Sequence, residues 1–124
     1  MSDGFGFVVF LVVVDVVMVG SVLGTVWAAA TGRMTANPTM GLRTPATVAS
    51  HAAWEAGHRA ALPRAIAITV ICLVLIVAAL VLAWIGQTLP AFALALSPVI
   101  VTVAGLVQLV RAANDAALAV HPRR

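Results

Sequence analysis

Lysine and tyrosine are absent from this chain, cysteine occurs once, and only four of the 124 residues are acidic. Charged side chains make up 9% of the sequence, against roughly a quarter in soluble domains. That is too little polar surface to coat a globule in water. A single cysteine excludes an internal disulfide, and Cys72 sits inside an apolar run, where it reads as a small hydrophobe. Without lysine, all seven positive charges are arginines. They flank apolar segments, a placement that orients membrane spans rather than binding nucleic acid. No Ser-His-Asp set, Cys-x-x-Cys pair, phosphate loop or nucleotide fingerprint is present, so no catalytic residue and no cofactor is expected. His51, Glu55 and His58 stand at i, i+4 and i+7 and could offer zinc ligands. The preferred reading is a solvated helix face with a Glu55–Arg59 ion pair, and no metal site is expected.

What is present is hydrophobic: 63% of the residues, with a mean hydropathy of +1.13. Phe5 to Ala30 is apolar apart from Asp15. A helix of that length reaches about 39 Å, beyond the ~30 Å hydrocarbon core. A cleaved signal peptide is disfavoured, because Asp3 stands where a basic segment belongs and the run exceeds a signal core. Ala65 to Ile85 and Ala91 to Val110 give two further uncharged spans, separated by a turn at 86–90 that makes them antiparallel neighbours. The expected fold is an all-α integral membrane protein, one domain over residues 1–124. It has three transmembrane helices (about 5–30, 65–85 and 91–110), a loop at 31–64 and a basic tail at 111–124.

Orientation follows from the arginines. Arg33, Arg43, Arg59 and Arg64 lie in the first loop and Arg111, Arg123 and Arg124 in the tail, so three spans place all seven on one side. That side is expected to be cytoplasmic, with the N-terminus outside. Trp27 and Trp84 then fall at opposite interfaces.

The loop carries the informative residues. Pro45 fixes its own φ and pushes Thr44 into an extended conformation, and Gly41 can adopt angles closed to other residues. A helix capped by Ser50, or alternatively by Thr44 with Pro45 at its first position, is expected to run to about Leu62. His51, Glu55, His58 and Arg59 would share one side of it, with Trp54 at the border. This predicts a short amphipathic helix lying at the membrane interface. Asn37, Gly41, Arg43, Thr44, Pro45, Thr47, Ala53 and Trp54, closed by His58 and Arg59, form an ordered series between hydrophobic spans. The series resembles the signature of the SdpI family, with Leu42 where an aromatic residue or isoleucine is usual and His51-Ala52 where acids are usual. The resemblance implies a bacterial cell-membrane protein without catalytic activity. It also implies an immunity role, namely resistance to a secreted killing peptide with a signal passed to a cytoplasmic regulator. Orientation alone needs only positive charge, so Gly41, Thr44-Pro45 and Trp54 favour a binding or packing role for Asn37, Gly41, Arg43, Thr44, Pro45, Thr47, Trp54, His58 and Arg59.

Within the spans, Asp15, Ser97 and Gln108 are the polar residues of interest. An acid at that depth should face protein or water rather than lipid. Pro98 leaves the Leu94 carbonyl without its usual amide, so a protonated Asp15 could donate to that carbonyl or to Ser97. Gly20 and Gly24 form a Gly-x-x-x-Gly pair pointing away from Asp15, and a homo-oligomer contacting through them is expected. Two other functions remain open: a small oligomeric proton-coupled transporter using Asp15, and an accessory subunit of a larger membrane complex.

Overall fold

The computed structural model describes residues 3–120; Arg123 and Arg124 of the basic tail lie outside the described residues. Three helices account for most of the chain: α1 (Asp3–Ala30), α2 (His51–Trp84) and α3 (Thr88–Val120). All three are long and apolar enough to cross a membrane, and no strand occurs among the described residues. Their outer faces carry large apolar side chains in the open, Val17, Val74 and Ile100 among them, as suits a lipid surface.

Two glycines stop helices where the sequence needs sharp ends. Gly32 (φ 74°) and Gly86 (φ 80°) take the left-handed conformation. Arg33 N–H then bonds back to the Ala28 carbonyl at 2.8 Å, and Gln87 N–H to the Leu82 carbonyl at 2.8 Å. Both satisfy terminal carbonyls that the helix itself cannot. α3 begins at Thr88, so Pro90 stands in its first turn, where a missing N–H costs nothing. The expected turn at 86–90 is correspondingly shorter.

The expected separate amphipathic helix does not form. Ser50 does cap a helix, accepting from Ala53 N–H at 3.0 Å, but that helix continues through Pro63 to Trp84 as α2. Pro63 and Arg59, the residue whose carbonyl the proline leaves unbonded, are both exposed, which places the broken rung on the outer face. α2 and α3 would each span about 50 Å, well beyond the hydrocarbon thickness. Their ends therefore project on one side, where α2 begins and α3 finishes. Arg33, Arg43, Arg59, Arg64 and Arg111 all belong to this end.

Small residues let the helices close in. Ala53, Gly57, Ala61 and Ala65 of α2 meet a stripe on α3 that includes Gly105, Ala113 and Ala117, all buried. At Gly57 an added Cβ would stand 2.9 Å from the Ala113 carbonyl oxygen. One apolar cluster joins Val8 and Val12 to Ile76, Ala79, Ala83, Ala91 and Ala95. A second joins Val26, Leu42, Ala61, Ala65, Leu109 and Ala113.

Between the clusters lies a polar layer. Asp15 is 1% exposed and Thr102 3%; Cys72, also buried, has its sulfur 3.6 Å from the Thr102 hydroxyl. The anticipated partners of Asp15 are already engaged, since Ser97 Oγ donates to the Leu94 carbonyl at 2.6 Å. Asp15 Oδ2 has no hydrogen-bond partner. Gln108 is exposed at the rim of a groove shared with Arg64. Gly20 and Gly24 face outward, and a methyl added at either would meet nothing within 4 Å.

The tight crossing gives the first prediction. Gly57→Val should destabilise the protein by about 1–3 kcal/mol through overpacking, read as a lower Tm in detergent by circular dichroism. Gly20→Val, where a side chain meets open space, should leave the Tm of the monomer unchanged.

Candidate functional site

Residues 31–50 return across the projecting end of the bundle and are pinned there by side chains. Asn37 organises the first bend. Its Oδ1 accepts from the Thr39 and Met40 amides at 3.1 and 2.8 Å, and its Nδ2 donates to the Thr35 carbonyl at 3.0 Å. Asparagine commonly stabilises a turn in this way. Arg43 closes the same bend, its Nη1 donating to the Pro38 carbonyl at 2.7 Å. Gly41 sits inside that closure with φ 98°. A Cβ there would collide with the Trp54 indole, so both angle and space demand glycine.

Thr44, Pro45 and Thr47 make the second turn. Thr47 N–H donates to Thr44 Oγ1 at 3.1 Å, while Thr44 N–H donates to Thr47 Oγ1 at 2.8 Å. The exchange is that of a capping box, with threonine in the acceptor place of the usual glutamate. Pro45 is at the first position, where its fixed φ suits a helical turn. Thr44 thus caps one turn and Ser50 caps α2, so each of the two alternative capping residues has a task.

Leu42 is the keystone. Its side chain enters the core cluster of α1, α2 and α3, carrying its backbone into a buried position where both polar groups need partners. Its N–H donates to His58 Nε2 at 2.8 Å, and its carbonyl accepts from Thr47 Oγ1 at 2.8 Å. Because His58 Nε2 accepts, the ring proton resides on Nδ1, which lies 2.8 Å from the Trp54 carbonyl and donates to it. Trp54 completes the set: its Nε1 donates to the Met34 carbonyl at 2.8 Å, and its ring packs on His58 with centroids 4.2 Å apart. Trp54, His58 and Thr47 are all fully buried.

The structure therefore brings Asn37, Gly41, Arg43, Thr44, Pro45, Thr47, Trp54 and His58 into one unit and leaves Arg59 outside it. His58 and Trp54 turn inward, a correction to the expected shared face of His51, Glu55, His58 and Arg59. The exposed side keeps the expected pairing of Glu55 with Arg59, 3.6 Å apart, and Glu55 also lies 3.1 Å from His51. Two residues to which the sequence reading gave no part in the site also matter. Arg33 stacks on Trp27, 4.6 Å from the ring centroid, and Met40 is half exposed beside a cleft of about 270 Å³. That cleft lies between Thr39–Leu42 and α1 at Ser21 and Thr25. Met40 carried no signal beyond its place inside the motif.

The hydrogen bonds of the pin can be tested singly. His58→Ala should strand the Leu42 amide and cost about 1–3 kcal/mol, whereas Ser50→Ala, which removes one capping bond without opening a core cavity, should cost about 1 kcal/mol. Thermal unfolding, with limited proteolysis of the 31–50 loop as a second readout, should rank the two in that order.

A family model described as the SdpI/YfhL protein family matches residues 33–110. No curated protein and no solved structure matches the chain. The matched stretch takes in most of the pinned loop, the whole of α2 and most of α3, well over half of the sequence. This multi-pass membrane protein belongs to the SdpI/YfhL protein family.

Proposed function

We propose that the protein gives a bacterial cell resistance to a membrane-active peptide, or senses one, with the 31–50 loop as its contact surface. The reading includes a non-catalytic role and an orientation with the loop and C-terminus in the cytoplasm. Family membership supports it, and one observation carries it. The buried polar groups of the loop are spent inward on holding its shape, while Met40, Arg43, Pro45 and Val48 remain exposed on its outer side. A segment that served only to hold positive charge on one side would need no such bracing. A braced loop loses little conformational freedom on binding, which is the advantage of a preorganised surface.

Two measurements test this. Arg43→Ala and Pro45→Ala should abolish resistance in a peptide-challenge assay while membrane insertion stays normal. Arg43→Gln, which keeps a donor for the Pro38 carbonyl but no charge, should also lose resistance if the guanidinium makes the contact. Full resistance in all three variants would remove the loop from the function. For orientation, an impermeant label at a cysteine replacing Thr88 should react from outside the cell, and a reporter fused after Arg124 should be active in the cytoplasm. Both on one side would exclude the arrangement.

A further inference from the structure

We propose that Asp15 is an intramembrane proton-binding site whose occupancy holds the three helices together. This goes beyond the role given to the loop and does not depend on it.

The position is a core position. Val8, Val12, Val19 and Val26 are buried along one stripe of α1, and Asp15 stands in that stripe where another valine would continue it. Asp15 is 1% exposed and its Oδ2 has no hydrogen-bond partner. The packing of Val12 with Ile76 and Ala79 on one side, and of Val26 with Ala61 and Ala65 on the other, sets the register of the antiparallel pair. Asp15 falls between the clusters, at the height of Cys72 on α2 and of Pro98 and Thr102 on α3.

The sequence excludes a counter-ion at this depth. α2 has no titratable residue but Cys72 between Ala65 and Trp84, α3 has none between Thr88 and Val110, and α1 has none but Asp15 from Gly4 to Ala30. A carboxylate enclosed there would be a bare charge in an apolar interior, so the closed bundle accommodates the neutral acid. Loss of the proton requires water at Oδ2, and water enters only if helices part at this layer. α3 is the element able to yield. Pro98 removes one rung of its ladder, and the freed Leu94 carbonyl is held by Ser97 Oγ at 2.6 Å instead of by a backbone amide. A proline is also where a membrane helix bends.

Cys72 supplies a reporter already in place. It is the sole cysteine, fully buried, and bonded within the same layer to the Pro98 carbonyl at 3.8 Å. The experiment uses the full chain in lipid nanodiscs, with Asp15→Asn as reference, or Asp15→Leu should the asparagine variant fail to fold. Infrared difference spectra between wild type and reference should show the carbonyl stretch of a neutral carboxylic acid at neutral pH, fading as pH rises. Over the same interval, alkylation of Cys72 by N-ethylmaleimide should accelerate at least tenfold more in the wild type than in the reference. The reference removes the thiol's own pH dependence, which both proteins share. Three results would each overturn the proposal: no acid band at neutral pH, a band unchanged to the highest pH the bundle survives, or identical alkylation profiles.

Discussion

A loop can be drawn down onto a helical bundle only if its backbone amides and carbonyls exchange water for other partners as they are buried. Here the imidazole of His58 meets the heaviest part of that demand. It accepts the Leu42 amide and donates to the Trp54 carbonyl, so one neutral ring links the loop to its own helix on two sides. A protonated ring could not accept, and a lysine or arginine could not accept in its charged state. Once the amide is satisfied, the Leu42 side chain can join Val26 and Leu109 in the core, and that burial of apolar surface seats the loop. Thr47 then has a carbonyl to hold, Gly41 has an indole to pass beneath, and Arg43 has a carbonyl across the bend. Without His58 each of these would brace a segment that had nowhere to settle.

Much of this was legible in the sequence, and the portion that was not has a physical reason. Three spans followed from uninterrupted apolar length, the Ser50 cap from residue type before an alanine-rich run, and the importance of Gly41, Thr44 and Pro45 from their restricted or permissive backbones. The direction of His58 was not legible. Positions 51, 55, 58 and 59 do cluster on a helical wheel, but 54, 58, 61 and 65 form an equally good stripe. Polarity assigned the histidine to the wrong one. Its partner is the backbone amide of Leu42, distant in the chain, and backbone groups leave no trace in the letters. Pro63 misled in a similar way. It normally marks a helix boundary, yet here its broken rung faces outward and packing on both sides of it carries α2 through.

The Gly-x-Arg-Thr-Pro stretch also looks different once its contacts are known. Gly41, Thr44 and Pro45 serve the shape of the loop, Thr44 through its exchange with Thr47 just beyond the stretch, and even the arginine spends one nitrogen on the Pro38 carbonyl. A motif of this kind specifies a surface chiefly through what it holds rigid. The groups left to meet a partner are few: the remaining guanidinium donors of Arg43 and the apolar flanks at Met40, Pro45 and Val48.

The two ends of the problem meet in the treatment of buried polar atoms. At the loop end Thr47, Trp54 and His58 are enclosed and each finds its partners, at the cost of a dense and specific local sequence. In the middle of the bundle Asp15 is enclosed as completely and its Oδ2 finds none, although a valine would extend the stripe at no such cost. A chain that satisfies its polar groups so thoroughly in one place is able to do so, and where it does not, stability gives way to something else. The unsatisfied carboxyl lies at the height of a proline-weakened segment of α3, not beside a rigid stretch. The rigid end and the yielding layer are joined by α2, which carries Trp54 and His58 at one level and Cys72 about four turns further along the same continuous helix. A shift of α2 at the polar layer reaches the loop only past Pro63, whose missing rung lies between the two levels and gives the helix a place to bend.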